Sequence, residues 1–231
     1  MKRLYQRAAA IRAAGGHGVV LDGRLVKTPG RRDLVVPSAA LAAAIEEEWD
    51  AQQGEILRET MPLTRLAGVT IDRSAAQREA IVRQVAHYAG TDLVCYRASH
   101  PSALAARQHA VWQPLIDWAA GRYDAPLLVT NRVIPASQPA ASLAGFAAAV
   151  AAHDDYELTA LHAATAGCGS LVIALALLEG RVDAGQAFAA SQLDESFQTE
   201  AWGEDAEEAE RRAALAADIA AAARFMALLR C

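Results

Sequence analysis

The chain has 231 residues, is 53% hydrophobic largely through alanine, and carries a net charge of −5, so it has enough material for one large domain or two small ones sharing a core. Its arginines are scattered rather than gathered into a basic stripe, which excludes the electrostatic footprint of a nucleic-acid binder. The longest apolar run, Leu171 to Leu178, is far short of the roughly 20 residues a membrane span requires.

The N-terminal residues are basic and alanine-rich, but Arg7 and Arg12 interrupt any apolar core of a signal peptide. Leu4 to Ala13 fits a strand or a fraying helix. His17 to Leu21 reads as a strand, and Asp22-Gly23 supplies the dipeptide that tolerates positive φ in a tight hairpin. Leu25 to Thr28 is the expected return strand, Pro29-Gly30 a further turn, and Asp33 to Val36 another short strand. Arg24, Lys27, Arg31 and Arg32 cluster around these turns and read as solvated edge charge.

A covering helix follows. Ser38 is placed to cap it, Leu41, Ile45, Trp49 and Gln52 share a face, and Glu46 to Glu48 are expected on the wetter side. Met61-Pro62-Leu63-Thr64 breaks the pattern and is expected as a joint. It divides a small β-containing domain, 1–60, from a helical bundle domain, 61–231.

Beyond the joint the chain reads as a succession of helices. Ser74 and Gln77 have capping-box spacing ahead of Ile81, Val85 and Tyr88, and Gly90 is the expected stop. A second helix carries Leu104, Val111, Trp112, Leu115 and Trp118, with Pro114 expected to kink it and Gly121 to end it. Arg122 to Pro139, with three prolines, is a long connection in which Leu127 to Thr130 reads as extended. Further helices are expected at 143–150, 158–165, 171–178, 187–201 and 209–229. A small sheet followed by helices implies an α+β fold with segregated elements.

Candidate chemistry is sparse. Cys95, Cys168 and Cys231 form no CxxC pair, and the six histidines show no zinc-ligand spacing, so no metal or cofactor is expected. Asp154 and Asp155 read as caps at a helix start. Gly167-Cys168-Gly169-Ser170 lacks the lysine of a phosphate loop and the flanking pattern of a nucleophile elbow. Ser170 is better explained as a cap, with the glycines allowing close packing. A small-molecule enzyme using Asp154 and Ser170 remains the rival, and it requires those residues to converge in one pocket. On the 187–201 helix, Ala190, Leu193, Phe197 and Ala201 form the expected apolar face. Asp194, Gln198 and Trp202 lie along an adjacent stripe suited to an interface rim.

In chain order the sequence contains LDGRLVKTP (21–29), VPS (36–38), EWDAQ (48–52), TMPLT (60–64), HYAGTDLVCYRA (87–98), QHAVWQPLIDW (108–118), GSLVIALAL (169–177) and LDESFQTEAWG (193–203). This succession, spanning nearly the whole chain, resembles the ATP synthase F1 assembly chaperone family that handles the alpha subunit. Gln113 departs from the acidic residue typical of that motif, and the tail after Trp202 is richer in alanine.

The resemblance implies a small antiparallel β part followed by a larger, mainly α-helical orthogonal bundle. It also implies a chaperone, not an enzyme, that needs no ATP and binds unassembled alpha subunit before it pairs with beta. Asp194, Glu195, Gln198 and Trp202 are then the expected partner-contacting or surface-shaping residues. Trp49, Gln52, Trp112 and Trp118 are the expected structural ones. The chain is expected to be a monomer when free and cytoplasmic in a bacterium, with eukaryotic relatives in the mitochondrial matrix.

Overall fold

The computed structural model describes residues 2–73, 75–132 and 136–231. They form two compact units: Met1–Arg78 with Asp155–Ala160 and Arg224–Cys231, and Glu79–Asp154 with Leu161–Ala223. The expected 60/61 limit falls inside the first unit.

In the first unit, β1 (Ala8–Ala13) and β2 (Gly16–Leu21) form a hairpin, and β3 (Arg24–Leu25) and β4 (Val35–Val36) both pair with β2 on its other edge, all antiparallel. The β2–β3 turn is Asp22-Gly23, with φ of 49° and 81°, the doubly positive geometry that an Asp-Gly pair adopts at little cost. The Asp22 carboxylate also accepts the Gln6 and Arg7 N–H groups, which steers the N-terminal segment into β1. The return strand is shorter than expected. After Leu25 only an isolated Lys27–Asp33 bridge remains, because residues 28–32 are drawn to the Asp72 carboxylate, which accepts from Thr28 Oγ1 (2.6 Å) and Gly30 N–H (2.8 Å).

α1 (Ala39–Asp50) packs against β1 and β2. Ser38 accepts from Leu41 N–H at 3.2 Å, the cap its position predicts, and donates to the Leu228 carbonyl at 2.6 Å. Leu41, Ala42, Ala44, Ile45 and Trp49 are buried against the sheet. Two expectations are corrected at this point. Glu48 is buried rather than wet, and residues 62–64 are not a joint but the first turn of α2 (Pro62–Asp72). The two facts have one cause: the Glu48 carboxylate accepts from Leu63 N–H (2.7 Å), Thr64 N–H (2.8 Å) and Thr64 Oγ1 (2.7 Å), filling the role of a helix cap from another helix. Pro62 suits a first helical position, where the N–H it lacks would have no partner anyway.

The helices that follow are α3 (Ala75–His87), α4 (Ser102–Tyr123), α5 (Ala140–Ala151), α6 (Asp155–Cys168), α7 (Leu171–Leu178), α8 (Ala184–Ser191), α9 (Leu193–Trp202) and α10 (Ala206–Leu229). Ser74, half of the expected capping box, lies outside the described residues, as does Pro135. α4 continues through Pro114 and past Gly121, and it ends where Asp124 turns left-handed at φ 49° and donates its N–H to Ala120. The expected single helix over 187–201 is two helices, because Gln192 leaves helical geometry between them. Asp183 and Gln186 cap α8 reciprocally.

α7 forms the centre of the second unit, with all eight side chains buried and α4 and α8 as neighbours. That environment explains why 171–178 lacks a polar face. Among the described residues, no helix is long and apolar enough to cross a membrane.

Candidate partner-binding surface

The sequence motifs interlock in pairs, and the pairing separates residues that hold the fold from residues that do not. EWDAQ joins TMPLT through Glu48, and also through Gln52, which is buried and bonds Thr60 Oγ1 (3.1 Å) and Leu57 N–H (2.8 Å). Trp49 is 9% exposed and meets Tyr5 edge-on, with ring centroids 5.9 Å apart, while the Tyr5 hydroxyl donates to the Trp49 carbonyl.

In the second unit, Asp92 joins HYAGTDLVCYRA to GSLVIALAL. Its wholly buried carboxylate accepts from Ser170 Oγ (2.5 Å), Val172 N–H (3.0 Å) and Val94 N–H (3.2 Å), so one side chain secures the start of α7 and a 3-10 turn at Leu93–Cys95. Burial raises its pKa to about 6 despite these donors. Ser170 accepts in turn from Ile173 N–H, capping α7 as expected. Of the flanking glycines, Gly167 lies tight against Ile219, whereas Gly169 has open space and a φ of 62°, so its need is conformational rather than packing. Cys95 and Cys168 are buried, and desolvation with the nearby Asp92 charge pushes both thiols up to about 12, leaving them unreactive near neutrality.

The third pair joins QHAVWQPLIDW to LDESFQTEAWG. Gln108 is buried, accepts from Ala98 N–H (2.7 Å) and donates to Asp194 Oδ1 (2.7 Å). Trp112 is fully buried, donates to the Ala190 carbonyl (2.8 Å), and lies beneath the Arg97 guanidinium, 5.0 Å from its ring centroid. Trp118 is half-buried and packs edge-on against Tyr123. Gln113 donates to Asp117 (2.8 Å), a bond that an ionised acid at 113 could not make.

α9 is therefore held from two sides. Gln108 and Arg107 of α4 bind Asp194 and Glu200, the latter with both carboxylate oxygens at 2.8 Å. Arg212 of α10 donates to Ser196 Oγ (2.9 Å), pairs with Glu204 (3.1 Å), and lies over the Phe188 ring. Leu193 is buried, but Ala201, expected on the apolar face, is exposed. The break at Gln192 separates Ala190 from the α9 face and resets which residues turn inward.

At 100° per residue, Glu195, Gln198 and Trp202 fall within about 60° of one another on the outward side. All three are exposed, Trp202 to 82%. Asp194 lies at the edge of this face, half-buried and engaged by Gln108.

Asp154 immediately precedes α6, and Asp155 pairs with Arg78 at 2.9 Å. A cleft of ≈ 480 Å³ is lined by Arg83, Gln84, His87, Tyr88 and Thr91, and neither Asp154 nor Ser170 contributes to it. Among the described residues, no three His, Cys, Asp or Glu side chains gather as metal ligands would.

An exposed tryptophan thus lies beside polar groups on the outward arc of a helix held at both flanks. The sequence model of the ATP12 chaperone protein family matches residues 2–120. The crystal structure of Atp12 from Paracoccus denitrificans superposes with a TM-score of 0.93 at 43% identity, covering 99% of this chain and 98% of that one. An Agrobacterium tumefaciens protein, solved as a candidate chaperone, also gives 0.93 at 37% identity, over 99% of this chain and 86% of that one. The mitochondrial protein atp12 of Schizosaccharomyces pombe is 24% identical over 221 residues, 90% of this chain and 76% of its own length. The chain belongs to the ATP12 chaperone family, the ATP synthase assembly chaperones that its motifs resemble.

Proposed function

We propose that the chain holds the unassembled alpha subunit of the F-type ATP synthase until beta replaces it, without ATP and without catalysis. A subunit destined for an obligate interface exposes a large apolar patch while alone, and covering that patch prevents aggregation. The observation that carries this reading is the outward face of α9, where Trp202 is 82% exposed on a helix whose other sides are clamped. Glu195, Gln198 and Trp202 are the contact residues. Asp194, whose carboxylate is engaged by Gln108, shapes the face from its edge. The enzyme alternative has less support: Ser170 is buried and its hydroxyl donates to Asp92, so no substrate meets it. We read the free chain as a cytoplasmic monomer.

The test is co-expression with alpha and with beta separately. Alpha, and not beta, is expected to stay soluble and co-purify. A folded Glu195→Lys, Trp202→Ala double variant is expected to lose capture at least tenfold, and full retention of alpha by that variant would refute the assignment of the α9 face.

A further inference from the structure

The segment after α4 uses its backbone in strict alternation. The Pro126 carbonyl accepts from Ser142 Oγ (2.6 Å). Leu128 donates its N–H to Gln138 Oε1 (2.8 Å), and its carbonyl accepts from Gln138 Nε2 (3.0 Å), so a side-chain amide imitates a neighbouring strand. Thr130 donates to the Cys95 carbonyl and accepts from Arg97 N–H, both at 2.8 Å, forming a parallel bridge with Tyr96. Residues 126, 128 and 130 thus turn their backbone groups inward. Leu127 and Val129, between them, make no backbone hydrogen bond among the described residues.

Successive peptide groups of an extended chain face opposite sides, so the N–H and C=O groups of Leu127 and Val129 lie on the side away from these bonds. Leu127 is anchored by its buried side chain, 8% exposed, while Leu128 and Val129 are 50% and 41% exposed. The edge is fixed in place by the inward bonds and carries none of the lysines, prolines or bulges that usually blunt such a template at its own positions.

Alternating donors and acceptors at strand spacing find their complement in another extended polypeptide, and the two apolar side chains favour apolar or β-branched neighbours. We propose that Leu127–Val129 is a strand-addition site that takes an extended, apolar segment of the client protein. This rests on the client-holding role proposed above and adds a second contact to it. The segment is tied to the α9 region through Thr130–Arg97, Ala98–Gln108 and Gln108–Asp194.

The experiment compares capture of purified alpha subunit by the wild-type chain, Val129→Pro and Val129→Thr, together with amide hydrogen exchange at Val129. Proline removes an N–H that the fold does not use, whereas threonine keeps the edge. Wild type and Val129→Thr are expected to hold alpha alike, and Val129→Pro to bind about five- to tenfold more weakly, as for one lost hydrogen bond with its neighbour disturbed. In the wild-type complex, exchange at Val129 is expected to slow at least tenfold. Should proline disturb the fold, exchange on the wild-type chain decides alone. Alpha held with Val129 exchange unchanged overturns strand addition and leaves the client role standing, whereas no capture of alpha by wild type overturns both. Slowing that appears without alpha and grows with chain concentration assigns the edge to a second copy and also overturns the proposal.

Discussion

At Asp92, burial holds the proton up to about pH 6, against an ordinary carboxylate value of 3.8. Between those values the folded chain binds this proton more tightly than the unfolded chain does. The group's stabilising contribution is therefore full below about pH 4 and is lost as pH rises to 6, roughly 3 kcal/mol in all. Urea midpoints across pH 4–7 are expected to show this fall in the wild type and to lack it in Asp92→Asn. Asp92→Ala, which orphans Ser170 Oγ and the Val94 and Val172 N–H groups, is expected to cost about 3 kcal/mol or more at any pH. Asp194 raises a related point. Lysine in its place removes the acceptor of Gln108 and sets a cation near Arg97, so Asp194→Lys is expected to lower stability by about 1–3 kcal/mol. Loss of client binding in that variant would mix folding with contact, and for that reason Glu195 and Trp202 are the cleaner probes.

Among the elements, α1 does two jobs with adjacent residues. Trp49 fills the space against Tyr5 and the sheet, and Glu48 caps α2. Glu48→Ala is expected to destabilise by about 2–3 kcal/mol in chemical denaturation, because it leaves two α2 N–H groups and the Thr64 hydroxyl without an acceptor. Trp49→Arg forces a guanidinium into that interior and is expected to abolish soluble protein, read by the soluble fraction after expression. α9 shows the opposite economy. Its half-buried Asp194 and Ser196 are committed to Gln108 and Arg212, and its exposed Glu200 to Arg107, which frees the arc of Glu195, Gln198 and Trp202 from any structural duty.

On the scale of the whole molecule, the first unit is assembled from three stretches of chain. Residues 155–160 and 224–231 return to it, bringing Phe225, which is fully buried and stacked on Tyr156, the Tyr156 hydroxyl bond to the Val35 carbonyl, and the Thr70–Thr159 hydroxyl pair at 2.7 Å. A fragment of residues 1–78 lacks all of these, and a chain that short is marginal on its own. It is expected to show no cooperative thermal transition by circular dichroism, whereas the full chain shows one.

How much of this was legible beforehand divides by range of interaction. The Asp22-Gly23 turn, the Ser38 and Ser170 caps and the amphipathic face of α1 depend on residues a few positions apart, so sequence alone determined them, along with the α+β class and the family resemblance. The break at Gln192, the helix at 62–72 and the burial of Glu48 were not legible in the same way. The last two depend on a partner supplied from elsewhere in the chain, and a glutamate in a run of three carries no local mark of being the one that caps another helix. The α9 stripe was visible as a pattern, but only the tertiary structure decided which of its members face outward. That choice is made by Gln108, Arg107 and Arg212, which approach from helices 16 to 93 residues away in the chain and engage Asp194, Glu200 and Ser196 by hydrogen bonds no periodicity encodes.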